Sequence, residues 1–227
     1  LVLSILSTVT LLRLQHRRAA NDQAQLIPVT LLTNARFWVR GGFVTCIFVG
    51  IAGPIVVLAM VLQFGLEMSP ARAGLALAAH PLSIMVASIF SSRMGSQHLE
   101  RRVTFGIFLL LAGMIGLHLA IAPGLTIPMI WVPLILVGAG AGTATVAMYQ
   151  LVLKDVQKAD AGTGSGALQA FQQIGIALGI ALVGQVFVSA LGDAPDPISY
   201  IEALKIALYV PITLFTGLSI ASLKQPA

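Results

Sequence analysis

Of the 227 residues, 57% are hydrophobic and only 9% charged, against about 25% charged in a typical soluble domain. With a mean hydropathy of +0.94, this excludes a soluble globular enzyme or a disordered chain and makes the lipid bilayer the first partner. The net charge of +5 comes from Lys and Arg in short loops between apolar runs rather than on one polar face, so no nucleic-acid partner is expected.

The chain opens on LVLSILSTVTLL, about a dozen apolar residues where a span needs roughly twenty, followed by Arg13, His16, Arg17 and Arg18. A signal peptide carries its charges before the apolar run, so residues 1–12 read as the end of a truncated span and 13–36 as a polar connector. Six apolar segments follow, at 37–64, 71–92, 103–122, 127–151, 163–191 and 200–222, with a tail at 223–227. The single cysteine, Cys46, lies inside the first of them and has no intrachain disulfide partner.

Sorting the cations by side of the membrane is decisive for orientation. Arg13, Arg17, Arg18, Arg36, Arg40, Arg93, Arg101, Arg102, Lys154, Lys158 and Lys224 fall on one side, and only Arg72 and Lys205 on the other. The positive-inside rule makes the rich side cytoplasmic and predicts a multi-pass protein of the cell (inner) membrane with its C-terminus in the cytoplasm. Pro54, Pro81, Pro128, Pro133 and Pro211 fall within or near the starts of these spans. Kinked, glycine-rich spans suit a bundle that rocks between two access states, although Pro and Gly are also simply commoner in membrane helices.

The stretch from Asp160 to Leu191 carries the main clue. At about 100° per residue, Gln169, Gln172 and Gln173 share one arc, continued by Gly162, Gly166, Ala170, Ala177, Ala181 and Gly184. Leu168, Phe171, Ile174, Leu178, Leu182 and Val186 take the opposite side, which reads as the lipid face. Small residues let membrane helices approach closely, and amides in hydrocarbon must find partners. Gly138, Gly142, Gly162, Gly166, Gly175 and Gly179 are accordingly expected at helix contacts. Gln169, Gln172, Gln173 and His80, which stands in its span just before Pro81, are the candidates for a substrate pathway. Each has a bland alternative: interhelical glue for the amides, and for His80 a bond to a backbone carbonyl freed by the proline. Tyr149 and Gln150, near a span end, read as interface anchors.

The entry LLTNARFWVRGGF, the hairpin VLQFGLEMSPARAGLALAAHP, the span VPLILVGAGAGTATVAM and the stretch DAGTGSGALQAFQQIGIALGIALVGQVF occur in an order and spacing that resembles the C-terminal half of a major facilitator superfamily transporter. The resemblance is to the drug:proton antiporter family with fourteen spans, of the EmrB and QacA type. It implies an all-α polytopic bundle of six transmembrane helices, half of a major facilitator fold built as two inverted three-helix repeats, with the initial fragment closing the two extra central spans of the family. It also implies export of small amphipathic compounds by proton antiport, with the coupling carboxylates in an N-terminal transmembrane bundle that is missing from this chain. The loop SSRMGSQHLERR keeps Gly95, Arg101 and Arg102 of the superfamily's loop pattern but lacks its Asp, which argues against a gating salt bridge there.

No zinc-ligand pair, phosphate loop or nucleophile elbow occurs, so no cofactor or metal is expected. Gly162, Gly164 and Ala167 match the dinucleotide fingerprint only formally, since a charged loop rather than a buried strand precedes them. The alternatives are a transporter of another small metabolite on the same fold, a membrane scaffold or sensor, and, weakest, an intramembrane protease suggested by Gly217, Leu218 and Ser219.

Overall fold

A computed structural model of the chain describes residues 33–122, 125–154, 156–157, 160–192 and 196–223. The expected truncated span at 1–12, most of the connector and residues 224–227 of the tail lie outside the described residues. The elements are α1 (Ala35–Met60), which runs on into a π-helical turn (Val61–Gly65), α2 (Pro70–Leu77), α3 (Ala79–Arg93), α4 (Leu99–Ala120), α5 (Ile127–Lys154), α6 (Ala161–Leu191) and α7 (Pro197–Leu223). Among the described residues no strand occurs. Taking α2 and α3 as one broken helix, six helices are long and apolar enough to cross a membrane, the shortest of 22 and the longest of 31 residues. At ~1.5 Å per residue these reach about 33 to 46 Å, enough for a hydrocarbon core of about 30 Å.

Local chemistry sets the ends and the break. The Asn34 side chain accepts from the Phe37 amide at 3.2 Å, so the last residues of the expected connector are already the cap and first turn of α1. Ser69 caps α2 ahead of Pro70 at its first position. Asp196 accepts from the amide and hydroxyl of Ser199 at the start of α7, and these bonds hold its carboxyl below its ordinary pKa. The expected single span at 71–92 is two helices meeting at Ala78. Pro81 has no N–H for the Leu77 carbonyl, the Ala78 amide turns instead to the Leu75 carbonyl at 3.3 Å, and the ladder resumes from Leu82 to Ala78. His80 therefore sits at the bend.

The spans pair crosswise. α1 lies along α6 and α5 lies along α3, so the first helix of each three-span group packs on the second span of the other. Exchanging the two groups maps one pair onto the other, as two inverted repeats require. α5 also packs on α4, and α7 reaches α1, α4 and α6.

Both crosswise pairs rest on glycine. A methyl added at Gly175 or Gly179 of α6 would lie 2.5 Å from the carbonyl oxygen of Thr45 or Val49 of α1. In α5, one added at Gly142 would lie 2.6 Å from the Ile84 carbonyl of α3, and one at Gly138 would collide with the Ser83 hydroxyl and the His80 carbonyl. A hydroxyl then ties each pair: Thr45 donates to the Phe171 carbonyl at 3.1 Å, and Ser91 to the Thr143 carbonyl at 3.3 Å. Gly162 and Gly166 differ. Both are exposed, with nothing among the described residues within 4 Å of an added methyl, so the helix contact expected of them is not made within this bundle.

Gly179→Ala and Gly142→Ala force backbones apart, an overpacking cost of about 1–3 kcal/mol or more, and should lower the thermal aggregation midpoint of the purified protein by several degrees. Gly166→Ala should leave it unchanged; equal loss at all three positions would contradict the assignment of contacts. For topology, exposed Ser96 and Gln157 lie at one end of the bundle and exposed Glu67 and Thr126 at the other. Single cysteines at these sites in a Cys46→Ala background should label with an impermeant thiol reagent in two pairs, one from each side of the membrane, and labelling of all four from one side would refute the six-span arrangement.

Candidate functional site

α6 turns Gly164, Leu168, Gly175, Gly179, Val183 and Phe187 inward. This corrects the expected lipid face: Leu168 is 3% exposed, and Phe171 closes over Gly41 with its ring 5.9 Å from Phe37 and 5.5 Å from Trp38. A helix apolar on nearly every side gives periodicity little to choose with. The carbonyl contacts at Gly175 and Gly179 fix the rotation instead. Turned outward are Gln169, Gln173, Gly162, Gly166, Ala170 and Ala177, and on the other shoulder Ile174, Leu178 and Leu182.

The three glutamines have different surroundings. Gln169 and Gln173 are exposed on the bundle surface. Gln172 is half-buried, and its amide oxygen accepts from the Tyr149 hydroxyl of α5 at 2.5 Å. Tyr149 is thus an interhelical donor rather than an interface anchor, and the amide oxygen of its neighbour Gln150 is buried without a partner among the described residues. Neither role was visible from the position of these residues near a span end, because which way α5 rotates is decided by Gly138 and Gly142.

His80 belongs to the other crosswise pair. It is 8% exposed at the α2–α3 bend, where α3 packs on α5. His80 Nδ1 is buried with no partner among the described residues. The structure does not gather His80 and the glutamines into one cluster: His80 is sealed between α3 and α5, while Gln169 and Gln173 face outward from α6.

At the end where α3 and α5 finish, two arginines hold helix termini together. Arg102 of α4, 5% exposed, donates through Nη1 to the Gly95 carbonyl at 2.7 Å and through Nη2 to the Ser91 carbonyl and to Ser91 Oγ, the last at 2.5 Å. Arg40 of α1 donates to the Leu151 carbonyl of α5 at 2.8 Å. Carbonyls at the end of a helix carry no amide partner and the negative end of the dipole. They give the Arg102 guanidinium acceptors without a carboxylate. Among the described residues no group of three or more His, Cys, Asp or Glu is placed to hold a metal.

Comparison with known proteins agrees with this architecture. Residues 1–180 match the model of the Major Facilitator Superfamily. Over 183 residues the chain is 32% identical to a probable actinorhodin transporter of Streptomyces coelicolor, an alignment covering 79% of this chain and 31% of that protein. The chain thus spans about a third of the length of the relative it matches. A match over most of the chain, together with six membrane-length helices in two crosswise-paired groups of three, shows that this multi-pass membrane protein belongs to the Major Facilitator Superfamily of transporters.

Proposed function

We propose that this bundle is the C-terminal half of a fourteen-span secondary exporter of small amphipathic compounds, driven by proton antiport, and that the outward face of α6 is one wall of the substrate path. The observation that carries the reading is where burial is lacking. The spans Pro70–Arg93 and Ala161–Leu191 are 17% and 22% buried over their most apolar stretch, against 39% to 56% for the other four. On α6 that open face carries Gln169 and Gln173 among small residues. An amide left to hydrocarbon is costly, so a face of this composition suits a second transmembrane bundle and the watery path between the two. Uncharged amides can bond a polar group of an apolar cation without holding it too tightly to leave. The relative's name, a probable actinorhodin transporter, supports transport as the activity. On the positive-inside rule the charge-rich end is cytoplasmic, the C-terminus with it, and the membrane is the cell (inner) membrane.

The same geometry gives Gln172 a different part from its neighbours. Gln169→Ala and Gln173→Ala in the complete transporter should change the ranking of substrates, by about fivefold or less for each, because an amide contact in a membrane is worth about 1 kcal/mol. Gln172→Ala and Tyr149→Phe should lower stability alike and non-additively, with a coupling of about 0.6–1.7 kcal/mol in a double-mutant cycle. Leu178→Ala is the control with little effect. Efflux assays across a compound panel, normalised to protein level, check this; a uniform loss for all substrates at Gln169 and Gln173 would make them structural and refute the pathway assignment.

A further inference from the structure

At the charge-rich end of the bundle, the start of α4 and the ends of α5 and α7 surround a cavity of about 720 Å³ whose walls include His98, Arg101, Phe105, Phe108, Lys154 and Leu223. We propose that it is a binding site for a singly charged anionic phospholipid, with the headgroup phosphate between Arg101 and Lys154 and the acyl chains along the phenylalanines.

Three observations point to this occupant. The first is depth. α4 begins and α5 and α7 end around this cavity, which places it at the boundary between headgroups and hydrocarbon, where basic pockets between transmembrane helices meet lipid headgroups. The second is the two-sided chemistry of the walls. Arg101 and Lys154 are exposed and come from different helices, while Phe105, Phe108 and Leu223 leave 59%, 42% and 66% of their surface open beside them. An adjoining cavity of about 420 Å³ shares His98, Arg101 and Phe105 and continues along α3 past Phe90 and Met94. A cationic mouth leading into an apolar groove fits a lipid; a free phosphate has no use for the groove. The third is charge. Glu100 also lines the larger cavity, so among the described residues of its wall two cations, Arg101 and Lys154, face one carboxylate, an excess matched by a headgroup with one negative charge. Arg102, the next residue, does not compete for it, because its guanidinium is turned inward onto the carbonyls of Gly95 and Ser91.

The test is lipid binding by the purified detergent-solubilised protein, read by native mass spectrometry with phosphatidylglycerol and phosphatidylcholine of identical acyl chains. A Lys or Arg beside an anionic headgroup is worth about fivefold in affinity, so the protein should prefer phosphatidylglycerol by roughly twentyfold. The preference should vanish in the double variant Arg101→Gln, Lys154→Gln, persist in Arg101→Lys, Lys154→Arg, and persist in Arg93→Gln, which changes a cation outside the cavity. Inorganic phosphate at millimolar concentration should not displace the lipid. No preference in the unaltered protein, a preference retained by the double variant, or displacement by phosphate would each overturn the proposal. As a readout that needs no variant, a phosphatidylglycerol with a photoreactive tail should crosslink to the peptide holding Phe105 and Phe108, and labelling spread evenly around the bundle would contradict the site.

Discussion

The contact on which this bundle depends is the approach of backbone to backbone at glycine. Lipid tails are as apolar as leucine, so burying leucine between two membrane helices gains little over leaving it in the bilayer. Helix association must come from close packing and from polar groups that hydrocarbon cannot satisfy. Gly175 and Gly179 against Thr45 and Val49, and Gly138 and Gly142 against His80 and Ile84, bring helix surfaces within reach of each other's carbonyls. Only at that separation can Thr45 and Ser91 extend their hydroxyls to carbonyls of the facing helix. The rotation of α5 and α6 follows from these contacts, and so does everything those helices present elsewhere.

One consequence is the division of labour among the polar residues. Fixing α6 by Gly175 and Gly179 brings Gln172 to Tyr149 and sends Gln169 and Gln173 outward. Fixing α5 by Gly138 and Gly142 buries His80 at the contact of α3 with α5. At the charge-rich end, Arg40 and Arg102 donate to helix-terminal carbonyls, so charge-assisted bonds to backbone help to hold the bundle there. Such bonds are stronger than neutral ones and leave Arg101 and Lys154 to face the surroundings.

Most of the fold was legible in the sequence, because a span of twenty apolar residues is a strong signal and alternating basic loops order the ends. The break at Ala78 was less so. Pro81 announced a kink, but whether the helix bends or splits depends on the Ala78 amide finding the Leu75 carbonyl. The arc of three glutamines on α6 is divided, with Gln169 and Gln173 outward and Gln172 on Tyr149, and on the side expected at lipid Leu168 and Phe171 pack inward. In a helix of uniform hydrophobicity, size carries more information than polarity, and the pair Gly175 and Gly179 was the better guide to the buried side. The Tyr149–Gln172 bond joins residues on different helices, a pairing no single-sequence pattern encodes.

On the proposed function, the outward face of α6 borders water and substrate, not lipid. Gln169, Gln173, Ile174, Leu178 and Leu182 are all exposed on this bundle, so the two shoulders of the helix can be compared directly in the complete transporter. Single cysteines along α6, treated with a small hydrophilic thiol reagent in membranes, should react at 166, 169, 173 and 184, be protected there by transported substrate, and stay inert at 174, 178 and 182. Reactivity at 174, 178 and 182 with silence at 169 and 173 would contradict the account.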